Sequence, residues 1–459
     1  MPKDYAPPSN FFSLLNVAQQ RLDEGFADLP RVPAPTLDQQ AAAILNEAAT
    51  RLQDNYPYGH PLYAGQMLKP PHPIARAAYA LAMSINPNNH ALDGGRASSA
   101  MEVEAVAALA KMFGWGDNNG GHLGHLTSGG TFANLEALWV AGQLTPGKTI
   151  AASDQAHYTH SRISSVLGLP FTSIASDATG RMDLAALEQA LASGDIGTVV
   201  VTLGTTAIGA VDPLDRILAL RQRYSFRIHV DAAYGGYFTL ASNLPPDARA
   251  AYDAIAHVDS IVIDPHKHGL QPYGCGAILF RDPSVGRFYK HDSPYTYFSS
   301  KELHLGEISL ECSRAGASAV ALWATQRLLP YTPGGEFARG LEAGRNAALE
   351  LSLRLVADER FVTPIAAPQL DILFWAVRAE TPEHSSTLAQ YIFDEAARLD
   401  LHLALANLPT RLFPQEAWPL AKPGYVTCLR SVLMKPEHLD WVDPIWQRLD
   451  LAATSVLRR

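Results

Sequence analysis

Residues 226–236 read FRIHVDAAYGG. The run from Phe226 to Val230 has the apolar, β-branched character of a strand buried on both faces. Asp231 closes it, and two alanines, a tyrosine and two glycines follow. Near-continuous apolar strands of this kind belong to parallel sheets covered by helices on both sides. Similar short runs recur at 149–152, 171–175, 198–203, 260–263 and 276–280. Helical patterns lie between them. One has Leu184, Leu187 and Leu191 on a single face, opened by Asp183 and ended by Gly194. Strand and helix alternating from about 121 to 280 predict an α/β unit with a parallel or mostly parallel sheet.

On the N-terminal side, the pattern predicts helices joined by Pro-rich links. Thr36 is expected to cap a helix from Leu37 to Gln53, and a second helix follows Pro73 to about Ser84. Ser99 and Glu102 have the spacing of a capping box, opening a helix that runs to Phe113. On the C-terminal side, TPGG at 332–335 is the expected linker. A long helix to about 357, strands near 371–376, 402–406 and 425–429, and closing helices should follow. The predicted organisation is a helical N-terminal segment (1–95), a large domain (96–332) and a smaller α+β domain (333–459).

The chain has 459 residues, 47% of them hydrophobic and 18% charged. That charge fraction is below the ~25% usual for soluble domains. It fits a globular chain that buries part of its surface against another copy, so a homodimer is expected. A net charge of −9 argues against broad nucleic-acid binding. Cys275, Cys312 and Cys428 form neither a disulfide framework nor a zinc signature, and no metal is expected. No run of ~18 apolar residues suggests a membrane span. The opening MPKDYAPPSNFF lacks a basic patch leading into an apolar core, so a cytoplasmic location is expected.

Ligands of open α/β sheets gather beyond the carboxyl ends of the strands. Four stretches there carry chemistry. Thr127-Ser128-Gly129-Gly130-Thr131 precedes a helix, where backbone N–H groups and a helix N-terminus favour an anion such as phosphate. Asp231 is a carboxylate at a buried strand end, which needs a cation or good donors. Lys267, in DPHKHG, follows the strand ending at Ile263, and partial burial there suits a nucleophilic amine. His157, in AHYTHSR, follows a further strand. Taken singly, each has a plainer explanation: a hydroxyl cap, a turn aspartate, a loop lysine, a structural histidine. Together they match what pyridoxal phosphate requires: phosphate donors, a carboxylate for the ring nitrogen, a flat partner for the ring and an amine for the aldehyde.

The sequence resembles the group II pyridoxal-phosphate-dependent amino-acid decarboxylases. The stretches that carry this are HPLYAGQ (60–66), TSGGTFANL (127–135), AHYTHSR (156–162), GTTAIGAVDP (204–213), HVDAAYGG (229–236), DPHKHG (264–269), SRAG (313–316) and LRSVLMKP (429–436). The resemblance implies an aspartate-aminotransferase-like fold (fold type I) with pyridoxal 5'-phosphate as cofactor. It implies decarboxylation of an aromatic or acidic L-amino acid to an amine and CO2. Lys267 matches the Schiff-base lysine, Asp231 the partner of the ring nitrogen, His157 the histidine stacked on one ring face and Ala233 the small residue on the other. Gly129, Gly130, Thr131 and His266 fall where the family holds the phosphate, and Thr206 at its ring-contacting threonine. Ser313 matches a residue that in relatives reaches the phosphate of the neighbouring subunit. His60, Gln66 and Arg430 fall at substrate-binding positions, Arg430 as a carboxylate clamp.

The family protonates Cα from a loop tyrosine. Tyr289, Tyr295 and Tyr297 are the candidates, with Tyr297 preferred. Phe132 stands where many relatives have an acidic residue, and His268 where aromatic-type members have tryptophan. The alternatives are a carbon–carbon lyase resembling sphingosine-phosphate lyase, or a non-catalytic cofactor-binding protein.

Overall fold

Ile196–Thr202, the strand IGTVVVT, is buried at every position. Only a strand walled on both faces needs such a sequence, and it lies inside a seven-stranded sheet in the computed structural model. The structure describes residues 8–30, 32–33, 36–90, 92–116, 121–290 and 309–458. In chain order the strands are β1 (Leu123–Thr127), β2 (Thr149–Ser153), β3 (Phe171–Ile174), β4 (Ile196–Thr202), β5 (Arg227–Asp231), β6 (Ser260–Ile263) and β7 (Gly276–Phe280). Across the sheet they run β1-β7-β6-β5-β4-β2-β3. β7 is antiparallel to both neighbours, and the other pairings are parallel. Six strands therefore point the same way, and their carboxyl ends share one edge.

β1 was not among the predicted strands. Gly124 and His125 interrupt its apolar run, yet four of its five residues are buried. The Asp183 cap is as predicted, accepting the Ala186 N–H at 2.8 Å. Two other caps differ. The first two helices are α1 (Phe11–Glu24) and α2 (Gln39–Leu52). Asp38, not Thr36, caps α2, accepting from Ala41 N at 3.0 Å. Next come α3 (Pro73–Met83) and α4 (Arg96–Met112). Because α4 starts at Arg96, Ser99 and Glu102 lie inside it and form no capping box. Glu102 is 1% exposed and turns into the core, where it accepts from Leu126 N at 2.9 Å, Arg314 Nη1 at 2.6 Å and Asn89 Nδ2 at 2.5 Å.

The C-terminal part carries β8 (Phe361–Val362), β9 (Ile372–Val377), β10 (Ala404–Pro409) and β11 (Tyr425–Val432), antiparallel in the order β10-β11-β9-β8. The helix before it spans Glu336–Ala357. One apolar cluster joins Val199, Val230 and Ile261 to Phe337, Leu341, Ile372 and Val432. The C-terminal sheet is thus fused to the large sheet through a shared core. By contrast α2 buries none of its residues, and Ile44, Leu45 and Leu52 are exposed. No helix among the described residues is long and apolar enough to cross a membrane.

Candidate active site

The shared carboxyl edge of the sheet opens on a cavity of about 410 Å³. β1 delivers Gly129, Gly130 and Thr131 to it, β2 His157, β4 Thr206, β5 Asp231 and Ala233, and β6 His266 and Lys267. These nine sequence-predicted residues come together although 138 positions separate the first from the last.

One end of the cavity is built by backbone. α5 (Gly130–Leu144) begins here, and while the Phe132 and Ala133 N–H groups donate to Gly129 O at 3.0 Å, the leading N–H groups of Gly130 and Thr131 have no partner within the helix. A Cβ on Gly130 would stand 2.8 Å from Asp264 Oδ2, so only glycine lets the loop pack this closely. His266 sits beside the loop with its ring 4.8 Å from Tyr273, and burial pushes its pKa down. Asp264, which sequence reasoning passed over, lies 3.0 Å from Lys267 Nζ. Thr202 Oγ1, Asp264 Oδ1 and His266 Nδ1 are buried on the cavity wall with no hydrogen-bond partner among the described residues. Buried polar atoms of this kind ordinarily have partners, so the wall is built to meet a polar ligand.

The other end is built by side chains around Asp231. Its Oδ2 lies 2.8 Å from His160 Nε2 and 3.4 Å from Asn134 Nδ2, and its Oδ1 accepts the Ala233 N–H at 3.1 Å. Burial alone would raise its pKa. The His160 bond, the Ala233 N–H and the Lys267 charge outweigh burial and hold the carboxyl well below the usual carboxylate range. His157, half-buried, accepts the Thr159 N–H at Nδ1, and burial lowers its pKa. His160 and Asn134 were both missed. A second histidine three residues after His157 was the available signal: it lies in the first turn of α6 (Thr159–Val166), the helix that the His157 turn leads into.

The remaining predicted residues lie outside the cavity lining. Arg430 is 4% exposed and donates to the carbonyls of Ala207 (2.7 Å), Thr206 (2.7 Å) and Gly65 (3.2 Å) and to Gln66 Oε1 (3.2 Å). It therefore straps the segment carrying Gln66 to the loop carrying Thr206. That segment is fixed further by two reciprocal lysines: Lys69 Nζ reaches Met434 O at 3.2 Å and Lys435 Nζ reaches Tyr63 O at 2.6 Å. His60 packs edge-on against Trp441 at 4.8 Å, and its Nδ1 accepts the Leu62 N–H. Ser313 is exposed and accepts from Asn88 Nδ2 at 3.1 Å. Tyr289 is core, packed against Trp139 at 5.0 Å. Tyr295 and Tyr297 lie outside the described residues.

An anion cup, a buried carboxylate and a lysine around one polar cavity fit the phosphate, ring nitrogen and aldehyde of pyridoxal phosphate. The comparisons with known proteins agree. Residues 31–376 match the family described as the pyridoxal-dependent decarboxylase conserved domain. The chain is 27% identical to the L-tyrosine decarboxylase of Enterococcus faecium, over 78% of this chain and 76% of that protein. It is 27% identical to the cysteine sulfinic acid decarboxylase of Mus musculus, over 76% and 74%. It is 30% identical to a probable L-tyrosine/L-aspartate decarboxylase of Methanosarcina mazei, over 57% of this chain and 63% of that protein. Among solved structures, mouse CSAD is similar at a TM-score of 0.77 and 21% identity, covering 98% of this chain and 92% of that one. Oryza sativa TDC with PLP and tryptamine is similar at 0.76 and 19%, covering 98% and 99%. These last two establish the fold. The chain belongs to the pyridoxal-dependent decarboxylase family and is a pyridoxal-phosphate-dependent carboxy-lyase of amino acids.

Proposed function

We propose that the protein removes the α-carboxylate of an L-amino acid with an aromatic or acidic side chain, releasing CO2 and the primary amine. The observation that carries this is the convergence of Lys267, Asp231, His157 and the Gly129–Thr131 loop on one cavity. Bound pyridoxal phosphate supplies the electron sink for the pair left on Cα when CO2 departs. The chain's own residues bind and orient. Lys267 would hold the cofactor through its amine, and the Gly129–Thr131 loop with the N-terminus of α5 would hold its phosphate. Asp231, as an anion, would keep a proton on the ring nitrogen, and His157 and Ala233 would pack against the ring. Arg430 has one guanidinium N–H without a partner among the described residues, which makes it the candidate for the substrate carboxylate. Phe132 on the cavity wall suits a flat side chain, and the Gln66 amide suits a polar or acidic one. The protein works as a homodimer in the cytoplasm, the dimer being supported by the uncovered apolar residues of α2.

The test is a panel of L-amino acids, aromatic, acidic and diamino, incubated with cofactor-loaded protein while CO2 is trapped and amine quantified. One aromatic or acidic member should give CO2 and amine in equal amounts. Turnover confined to a basic or small aliphatic amino acid, or cleavage of a carbon–carbon bond without CO2, would overturn the reading.

A further inference from the structure

His160 is 1% exposed, and its Nε2 lies 2.8 Å from Asp231 Oδ2. Its other ring nitrogen, Nδ1, is buried without a partner among the described residues. Asp231, held well below the usual carboxylate range, can only accept, so Nε2 carries the proton of this contact and His160 is the donor.

The second donor to the same oxygen is fixed from behind. Asn134 Oδ1 lies 2.8 Å from His229 Nε2, and His229 Nδ1 lies 2.9 Å from Ser260 Oγ. Burial pushes the pKa of His229 to about 3, so it is neutral and has one N–H to give. With Nε2–H donating to Asn134 Oδ1, His229 Nδ1 accepts from the Ser260 hydroxyl. The Asn134 amide is then locked with its NH2 toward Asp231. Both donors fall on Oδ2, while Oδ1 has one backbone donor from Ala233. Lys267 also acts on Asp231 from the cavity side, as a charge and not as a hydrogen-bond partner.

We propose that His160 is a positioning residue: by donating a hydrogen bond from Nε2 to Oδ2 it keeps Asp231 ionised and leaves Oδ1 for the protonated ring nitrogen of the cofactor. This rests on the assignment of Asp231 to that nitrogen. The Ser260–His229–Asn134 chain supports the same oxygen at longer range.

The test loads wild type, His160→Leu, His160→Gln and Asp231→Asn with pyridoxal phosphate labelled with ¹⁵N in the ring. The ring-nitrogen chemical shift is followed against pH, with cofactor affinity measured by titration of the apo-protein. His160→Leu should lower the ring-nitrogen pKa by about one unit or more, equivalent to roughly tenfold weaker binding of the ring proton. Cofactor affinity should weaken with it. His160→Gln, whose amide can donate from the place of Nε2, should recover most of the wild-type titration. A wild-type titration in folded His160→Leu, with Asp231→Asn strongly shifted, would overturn the role of His160 alone. An unshifted titration in Asp231→Asn would overturn the assignment of Asp231, and this role with it. Should His160→Leu not fold, the unbranched His160→Met carries the same comparison.

Discussion

Asp231, the last residue of β5, and Asp212, bonded through its N–H to the end of β4, are both buried, and each accepts at least one backbone N–H. Asp212 accepts from Met182 N at 2.7 Å and Thr202 N at 2.9 Å, and burial still pushes its pKa up to about 6. Asp231 has one backbone donor and adds the imidazole of His160 and the charge of Lys267. Its pKa falls instead of rising. Two neutral backbone donors brace a turn without fully offsetting desolvation. A carboxylate that must stay charged needs a side-chain donor and a nearby cation as well. Asp212 braces a turn and Asp231 faces the cavity, and the sequence signature of each is an aspartate after an apolar run.

The harshest test of this contrast is Lys267→Ala. It removes the cation acting on Asp231 and the amine proposed to hold the cofactor. Turnover should fall by ~10⁴-fold or more, the upper end for loss of one catalytic group. Mass spectrometry after borohydride reduction should find cofactor fixed to Lys267 in wild type and to no residue in the variant. Cofactor fixed to a different lysine would displace the site.

Asp231→Asn comes next. Asparagine keeps the shape and loses the charge. Losing a charge-assisted bond to a buried cation costs roughly 2–5 kcal/mol, or ~30-fold to several thousand-fold in rate if felt in the transition state. The melting temperature should change far less than kcat. A variant with normal kcat would make Asp231 as structural as Asp212.

Asp212→Asn should do the reverse, leaving kcat near wild type while altering the pH dependence of stability. An acid whose folded pKa is raised binds its proton more tightly when folded. Its contribution is therefore full below the unfolded value and is lost as pH rises toward about 6. About two units at ~1.4 kcal/mol each put this loss on the order of 3 kcal/mol. Denaturant unfolding from pH 4 to 7 should show a fall in wild type that Asp212→Asn lacks. Asp231 has the opposite sign, stabilising above the ordinary carboxylate range and losing that stabilisation in acid.

The smallest effect belongs to Asp38, an exposed aspartate that only caps α2. Losing a helix cap typically costs ~1 kcal/mol. Hydrogen exchange of the first turn of α2 should quicken in Asp38→Ala and stay unchanged in Thr36→Ala. Equal effects would return the cap to Thr36.

By itself, the sequence determined the α/β alternation, six of the seven large-sheet strands to within two residues at either end, and the chemistry-bearing residues after them. Continuous apolar runs and small residues at strand ends are local signals, because a buried parallel strand and a close backbone approach each restrict residue type directly. The tertiary structure alone decided the strand order and the reversal of β7, which bring loops from β1, β2, β4, β5 and β6 to one cavity. It turned Glu102 inward to meet Arg314, where local spacing pointed to a cap. It wrapped Arg430 in three carbonyls from two distant segments, and it set His160 under Asp231, 71 residues away. The reason is common to all of these. A buried polar group is defined by the partner that satisfies it, and that partner comes from whichever distant segment the packing brings within hydrogen-bond reach.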